Sequence, residues 1–196
     1  MDAEATGTAR ASRLLEQPAV AALADALQQL CAAGSVRVLP ADVRTPEEVA
    51  RHLGVEPAAL AGCVLLVPPR PPDAVARRAR RHRHHVRHRG RHHGEAPDGV
   101  LVVTSRAHRV VPEQIADVLG VPALEVAGAV PVLAGTGAVT TGVAPLGHPE
   151  PLTTLVDVAL VTQPVVWATA GHPGVVFPTR YEELLRLTGG QPVEVG

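Results

Sequence analysis

With 196 residues the chain is long enough for one domain with a buried core, and its formal net charge is only −1. Hydrophobic residues make up 46% of it, but with one Trp, one Phe and one Tyr the interior falls to Val, Leu and Ala. No apolar run is long enough to cross a bilayer and no signal-peptide pattern is present, so the expectation is a cytoplasmic protein without a membrane partner.

The near-neutral total conceals an asymmetry. Residues 70–93 carry nine Arg and six His against one acid, Asp73, while the rest of the chain holds nine Arg against eighteen acids. An acidic body thus bears a basic segment suited to a polyanion. The chain has no lysine and no asparagine, a bias that GC-rich codon usage explains. Cys31 and Cys63 lie on apolar segments without metal-type spacing and read as reduced, buried thiols.

In chain order, residues 1–12 are small and polar and read as a disordered start. The remainder, 13–196, reads as a single domain interrupted by an insertion at 68–98. Val20, Leu23, Leu27 and Leu30 recur at helical spacing over 18–33, with Pro18 suited to the first turn. A short strand is expected over 36–39. Thr45-Pro-Glu-Glu48 carries a capping box and a first-turn proline, and its helix should stop at Gly54. A short helix over 57–61 leads into a strand over 63–67, which should pair as a hairpin with a strand over 100–104. The connection between them, proline-rich and then Arg/His-rich, is too long for an ordinary loop and reads as largely disordered. Residues 111–120 form a helix ending at Gly120. Residues 121–138 are ambiguous, their apolar runs being broken by Gly128, Gly135 and Gly137. Strands are expected over 139–143, 152–158, 165–169 and 175–177. Thr179-Arg-Tyr-Glu182 reads as a second capping box, opening a helix that Gly189-Gly190 ends. Strands in one run with helices concentrated elsewhere argue for an α+β fold around a mixed or antiparallel sheet.

The chemistry concentrates between Thr141 and Thr179, where two Gly-His-Pro turns, Gly147-His148-Pro149 and Gly171-His172-Pro173, separate strand-like runs. Polar groups on rigid turns between strands are where ligand sites usually lie. The wording Gly137-Ala-Val-Thr-Thr-Gly-Val-Ala-Pro-Leu-Gly-His148, Leu155-Val-Asp157 and Trp167-Ala-Thr-Ala-Gly-His-Pro-Gly-Val-Val-Phe177, taken in order, resembles the YbaK-like aminoacyl-tRNA editing family. Thr45-Pro-Glu-Glu-Val-Ala-Arg-His-Leu-Gly-Val55 and Val103-Thr-Ser-Arg-Ala-His-Arg-Val110 resemble it too. Together these cover roughly residues 17–67 and 99–195.

The resemblance implies a barrel-like sheet with surrounding helices, as in the editing domain of some prolyl-tRNA synthetases. It implies hydrolysis in trans of the ester of a mischarged aminoacyl-tRNA, without a cofactor or metal, with aminoacyl-tRNA and a tRNA synthetase as partners. The alternative is a catalytically inactive homologue that binds tRNA or a partner.

Three departures fall at the implied site. Gly62 stands where the family carries a lysine. Thr141 replaces the first glycine of a Gly-x-x-x-Pro loop, whose Gly142 and Pro145 remain, and Val111 stands where an Asp is common. Ester cleavage builds negative charge on the carbonyl oxygen, so a lost donor weakens catalysis by about two to three orders of magnitude. The backbone amides of Gly142, Ala144 and their neighbours are candidate donors. His148 on the turn and Asp157 within an apolar strand complete the catalytic candidates, Asp157 serving either structural turn bonds or the substrate's amino group. Gly62, Cys63, Thr141, Pro145 and Gly147 are the substrate-binding candidates. Thr104, Ser105 and His108 follow the hairpin toward the pocket. His172 reads as a structural turn residue. The Arg/His segment could contact the tRNA backbone, although it lacks interleaved aromatics for base stacking and its histidines define no metal site.

Overall fold

The computed structural model describes residues 2–69 and 99–195. The expectations for the Arg/His segment fall outside the described residues.

Among those described, helices α1 (Asp2–Leu15), α2 (Pro18–Gln29), α3 (Pro46–Leu53), α4 (Pro112–Leu119), α5 (Ala129–Thr136) and α6 (Tyr181–Thr188) surround one mixed sheet. Its strands are β1 (Arg37–Val38), β2 (Leu60–Val67), β3 (Val100–Ser105), β4 (Glu125–Val126), β5 (Thr153–Asp157), β6 (Val166–Thr169), β7 (Val175–Thr179) and β8 (Gln191–Val193). They lie in the order β1-β7-β6-β2-β3-β5-β8, with β4 against the far end of β2. The fold is α+β as expected, but the sheet is an open path from β1 to β8 and does not close into a barrel.

Local signals produced several elements directly. Thr45 accepts the Glu48 amide while Glu48 accepts the amides of Arg44 and Thr45, so α3 starts on a complete capping box. It ends at Gly54, whose φ of 68° is left-handed. Gly120 closes α4 in the same way at φ 66°. β2 and β3 pair antiparallel from Leu66↔Val100 to Ala61↔Ser105, as the expected hairpin. All of β3 is buried, because it lies between two strands and is covered on both faces. Val100 and Val102 pack with Ile115 of α4, whereas Val103 joins Val20, Leu23 and Leu27 of α2 and Phe177 in the largest cluster.

Four expectations are corrected. Residues 2–15 are helical rather than disordered: the segment is alanine-rich, Leu14 packs into the main cluster, and Arg10 Nη1 donates to Leu39 O at 2.8 Å. Residues 139–143 form a 3₁₀ turn (Thr140–Gly142) instead of a strand, because Gly137 turns the chain at φ 71° and the Gly142 amide bonds back to Val139 O. The second capping box is displaced. Helix α6 starts after Arg180 without a side-chain cap, and Thr179 Oγ1 instead donates to Glu183 Oε2 at 2.8 Å. Cys31 is exposed, since α2 stops at Gln29 and Cys31 turns away at φ 50°.

Candidate active site

Strand register sets a short row of neighbouring positions across three strands of the sheet. Gly62 of β2 lies opposite Thr104 of β3, and the pairing Val103↔Val156 puts Thr104 beside Asp157, the last residue of β5. Directly paired residues share a face, so Gly62, Thr104 and Asp157 line up side by side.

At one end of the row Asp157 is fully buried. Its Oδ2 accepts from Thr104 Oγ1 at 3.0 Å and from the Ser105 amide at 3.1 Å, while Oδ1 accepts from the Ala159 amide at 3.0 Å. His108 Nδ1 stands 3.0 Å from the same Oδ2, off the line of a good hydrogen bond. Through these bonds the carboxylate ties β3 to the 3₁₀ turn Val158–Thr162. Ser105 Oγ donates to Ala58 O, which holds the same corner from the other side.

At the other end Gly62 is buried, yet it has a charged cover. Arg106 lies two residues beyond Thr104, hence diagonal to Gly62 on the same face. Its guanidinium folds back so far that a Cβ at residue 62 would be 2.7 Å from Nε and 2.8 Å from Cζ. Among the described residues this guanidinium makes no hydrogen bond or ion pair. The neighbouring Cys63 thiol is pushed up to about 12 by burial, with Arg106 pulling the other way, so it is no nucleophile at neutral pH.

Arg106 borders a cavity of about 150 Å³ beside this point. Leu60, Ala61, Val49 and Val176 supply apolar wall, and the Trp167 ring, with Arg37 stacked 5.1 Å from its centroid, supplies more. Thr141 and Thr169 bring hydroxyls, while Arg44 and Thr45 enter from the start of α3. Among the described residues the lining holds two arginines and no carboxylate, a charge balance that favours an anionic or electron-rich group.

Of the residues singled out from the sequence, Thr141 lines this cavity and Gly62 lies at its edge under Arg106. Gly142 sits behind, where a Cβ would meet His172 Cα at 3.0 Å and the Pro173 ring at 3.1 Å, and its amide is already bonded. Ala144, Pro145 and Leu146 are buried. Gly147 and Gly171, both at φ 83°, press the two Gly-His-Pro turns onto α2: added Cβ atoms would stand 2.9 Å from Leu23 backbone and 2.7 Å from Ala19 backbone. His148 is half-buried with Nε2 unpartnered among the described residues; burial lowers its pKa, against an opposing bond to the Thr136 backbone. His172 Nδ1 accepts the Gly174 amide at 2.9 Å, and burial together with Arg10 lowers its pKa. Sequence reasoning missed Arg106, Arg44, Trp167 and Thr169 as pocket residues. Only Arg106 had a signal, its period-2 spacing from the residue opposite Gly62.

The profile of the family described as aminoacyl-tRNA editing domain matches residues 40–187. Among solved structures, a candidate trans-editing enzyme for prolyl-tRNA synthetase superposes with a TM-score of 0.72 at 27% identity, over 91% of this chain and 96% of that one. A scaffold protein used for epitope grafting by computational design gives 0.71 at 26% identity, with the same coverages. A hypothetical protein at 19% identity gives 0.68 over 89% and 98%, a likeness of fold. No curated protein matches the sequence.

Proposed function

Because the chain belongs to the aminoacyl-tRNA editing domain family, we propose that it hydrolyses the ester of a mischarged aminoacyl-tRNA in trans. The observation that carries this reading is the small, acid-free cavity bordered by Arg106 and Thr141. A volume near 150 Å³ has room for a body about the size of benzene, enough for a compact acyl side chain.

In such a hydrolysis water adds to the ester carbon, negative charge grows on the carbonyl oxygen, and the C–O bond to the terminal ribose then breaks. No side chain here is set up as a nucleophile: Cys63 is held protonated, and the described residues of the pocket include no serine–base pair. The protein's contribution is therefore positioning and charge stabilisation. The Arg106 guanidinium is the donor at the cavity that is available to the oxyanion. Thr141 and Thr169 hydroxyls are available to orient the water or the ribose. Aminoacyl-tRNA is the substrate, and a tRNA synthetase is the enzyme whose errors it would clear.

Incubating the purified protein with a panel of mischarged tRNAs tests the reading. Release of the amino acid above the spontaneous rate from at least one small-residue ester supports it. Binding without any hydrolysis overturns it in favour of an inactive tRNA- or partner-binding module.

A further inference from the structure

We propose that the Arg106 guanidinium is the anion-holding group of this pocket, and that glycine at position 62 is the condition for it. Three observations carry the inference. The β2–β3 register makes Arg106 the diagonal neighbour of Gly62 on one face, so a long side chain can lie straight back over it. A Cβ there would be 2.7 and 2.8 Å from Arg106 Nε and Cζ, so a side chain at 62 would push this exposed arginine out of the position it holds. The guanidinium also has no carboxylate, hydroxyl or carbonyl partner among the described residues, in a cavity whose lining holds no acid.

A cation held over a glycine at a cavity edge, exposed and without a partner among the described residues, is open to a ligand's oxygens. Guanidinium is a rigid planar fork with five N–H donors, and it matches the paired oxygens of a phosphate or the oxygen of a polarised ester. An aminoacylated terminal nucleotide carries both groups. The departure at Gly62 thus changes meaning. The cation is supplied from the adjacent strand, and a lysine introduced at 62 while Arg106 remains would compete for one space. Lysine at 62 is expected to act only once the arginine has been removed.

The role rests on the deacylase reading for its reaction but not for its binding, so the two can be tested apart. Trp167 is the chain's only tryptophan and lines the cavity, so its fluorescence reports occupancy. The probe is the non-hydrolysable alanyl amide of 3′-amino-3′-deoxyadenosine, with and without a 5′-phosphate. Wild type is expected to bind the phosphorylated probe. Arg106→Ala should weaken it about tenfold or more, and Arg106→Lys should restore part of the loss. Gly62→Ala should match Arg106→Ala, and the double variant should be no worse than either, since both substitutions remove one interaction. Gly62→Lys should recover binding only in the Arg106→Ala background. A loss confined to the phosphorylated probe assigns the contact to the phosphate, and an equal loss with both assigns it to the acyl carbonyl oxygen, which stands in the amide for that of the ester; either result supports the proposal. Thermal melts confirm that the variants fold.

Failure of wild type to bind either probe overturns the inference, as does a Gly62→Ala variant that binds like wild type. A wild type that binds through Arg106 but hydrolyses no aminoacyl-tRNA overturns the deacylase reading and leaves this inference standing. A wild type that hydrolyses at a rate indifferent to both substitutions does the reverse.

Discussion

The two ends of the Gly62–Thr104–Asp157 row treat charge in opposite ways. At the β5 end a carboxylate is fully buried, with bonds to Thr104, Ser105 and Ala159. At the β2 end a guanidinium lies over a glycine with its donors free and open to solvent. A buried charge with all its partners holds structure together, because removing it strands those partners. A charge left without partners at a cavity contributes little to stability and is available to a ligand. Proximity in the sheet thus goes with opposite surroundings for Asp157 and Arg106.

The sharpest way to break that comparison is to truncate each end. Asp157→Ala should cost about 3 to 5 kcal/mol, because it leaves the Ser105 and Ala159 amides unsatisfied in the interior, Thr104 Oγ1 keeping only its long bond to Ser105 O. For a chain of this length that lowers Tm by roughly 6 to 20 °C in a thermal melt. Arg106→Ala should leave Tm within about 2 °C while removing activity. An Asp157→Ala variant with unchanged Tm and lost activity would transfer Asp157 to the functional side.

A second contrast separates glycines needed for close approach from those needed for backbone angle alone. Gly171→Ala combines φ 83° with contact to Ala19 backbone and should cost about 2 to 3 kcal/mol, loosening the turn from α2. Gly54→Ala meets nothing within 4 Å and should cost about 1 kcal/mol, from its φ of 68°. Equal losses in denaturant titrations would mean that docking on α2 is not what Gly171 provides.

The pH dependence should be milder. Burial depresses the pKa of His148 and of His172 below the ordinary 6.5. As pH falls through 6.5 the unfolded chain takes up protons first, so stability present above pH 6.5 is lost toward pH 5. Lowered carboxyl groups act in the same direction at lower pH. For Glu183, burial alone would raise the pKa, but bonds from the Ala33 amide, Thr179 and Arg186 outweigh it. Melts of His148→Gln between pH 7 and 5 should show a shallower loss than wild type. An unchanged slope would mean that His148 is not kept neutral by the fold.

The smallest effect on stability is expected from the insertion. Leu66 pairs with Val100, so replacing residues 68–98 with an Asp-Gly turn keeps the hairpin register. The shortened chain should melt within about 2 °C of wild type, since long loops contribute little to stability. If its nine arginines meet tRNA phosphates, the slope of log affinity against log salt should flatten by about 0.7 to 0.9 per lost contact. An identical slope removes that role.

Much of the frame was legible in the sequence because its signals are local. Thr45 and Glu48 cap a helix three residues apart, Gly54 and Gly120 stop helices at their own backbone angles, and two apolar runs pair as neighbours. Residues 139–143 were misread because a valine- and threonine-rich run without an edge to pair with is not a strand. The family resemblance located the segments that matter, and the profile over residues 40–187 agrees with it.

What the sequence determined by itself was the locally signalled elements, such as the capped α3, the β2–β3 hairpin and α4, and the absence of a side chain at residue 62. Tertiary structure alone decided what fills that space. Arg106 is 44 positions from Gly62 in sequence, and only strand register brings them together on one face. The same holds for Asp157, whose role depends on whether Thr104 and the Ser105 amide reach it. Local propensity acts over three or four residues, whereas the row is assembled across three strands, and no spacing within one strand encodes its neighbours in the others.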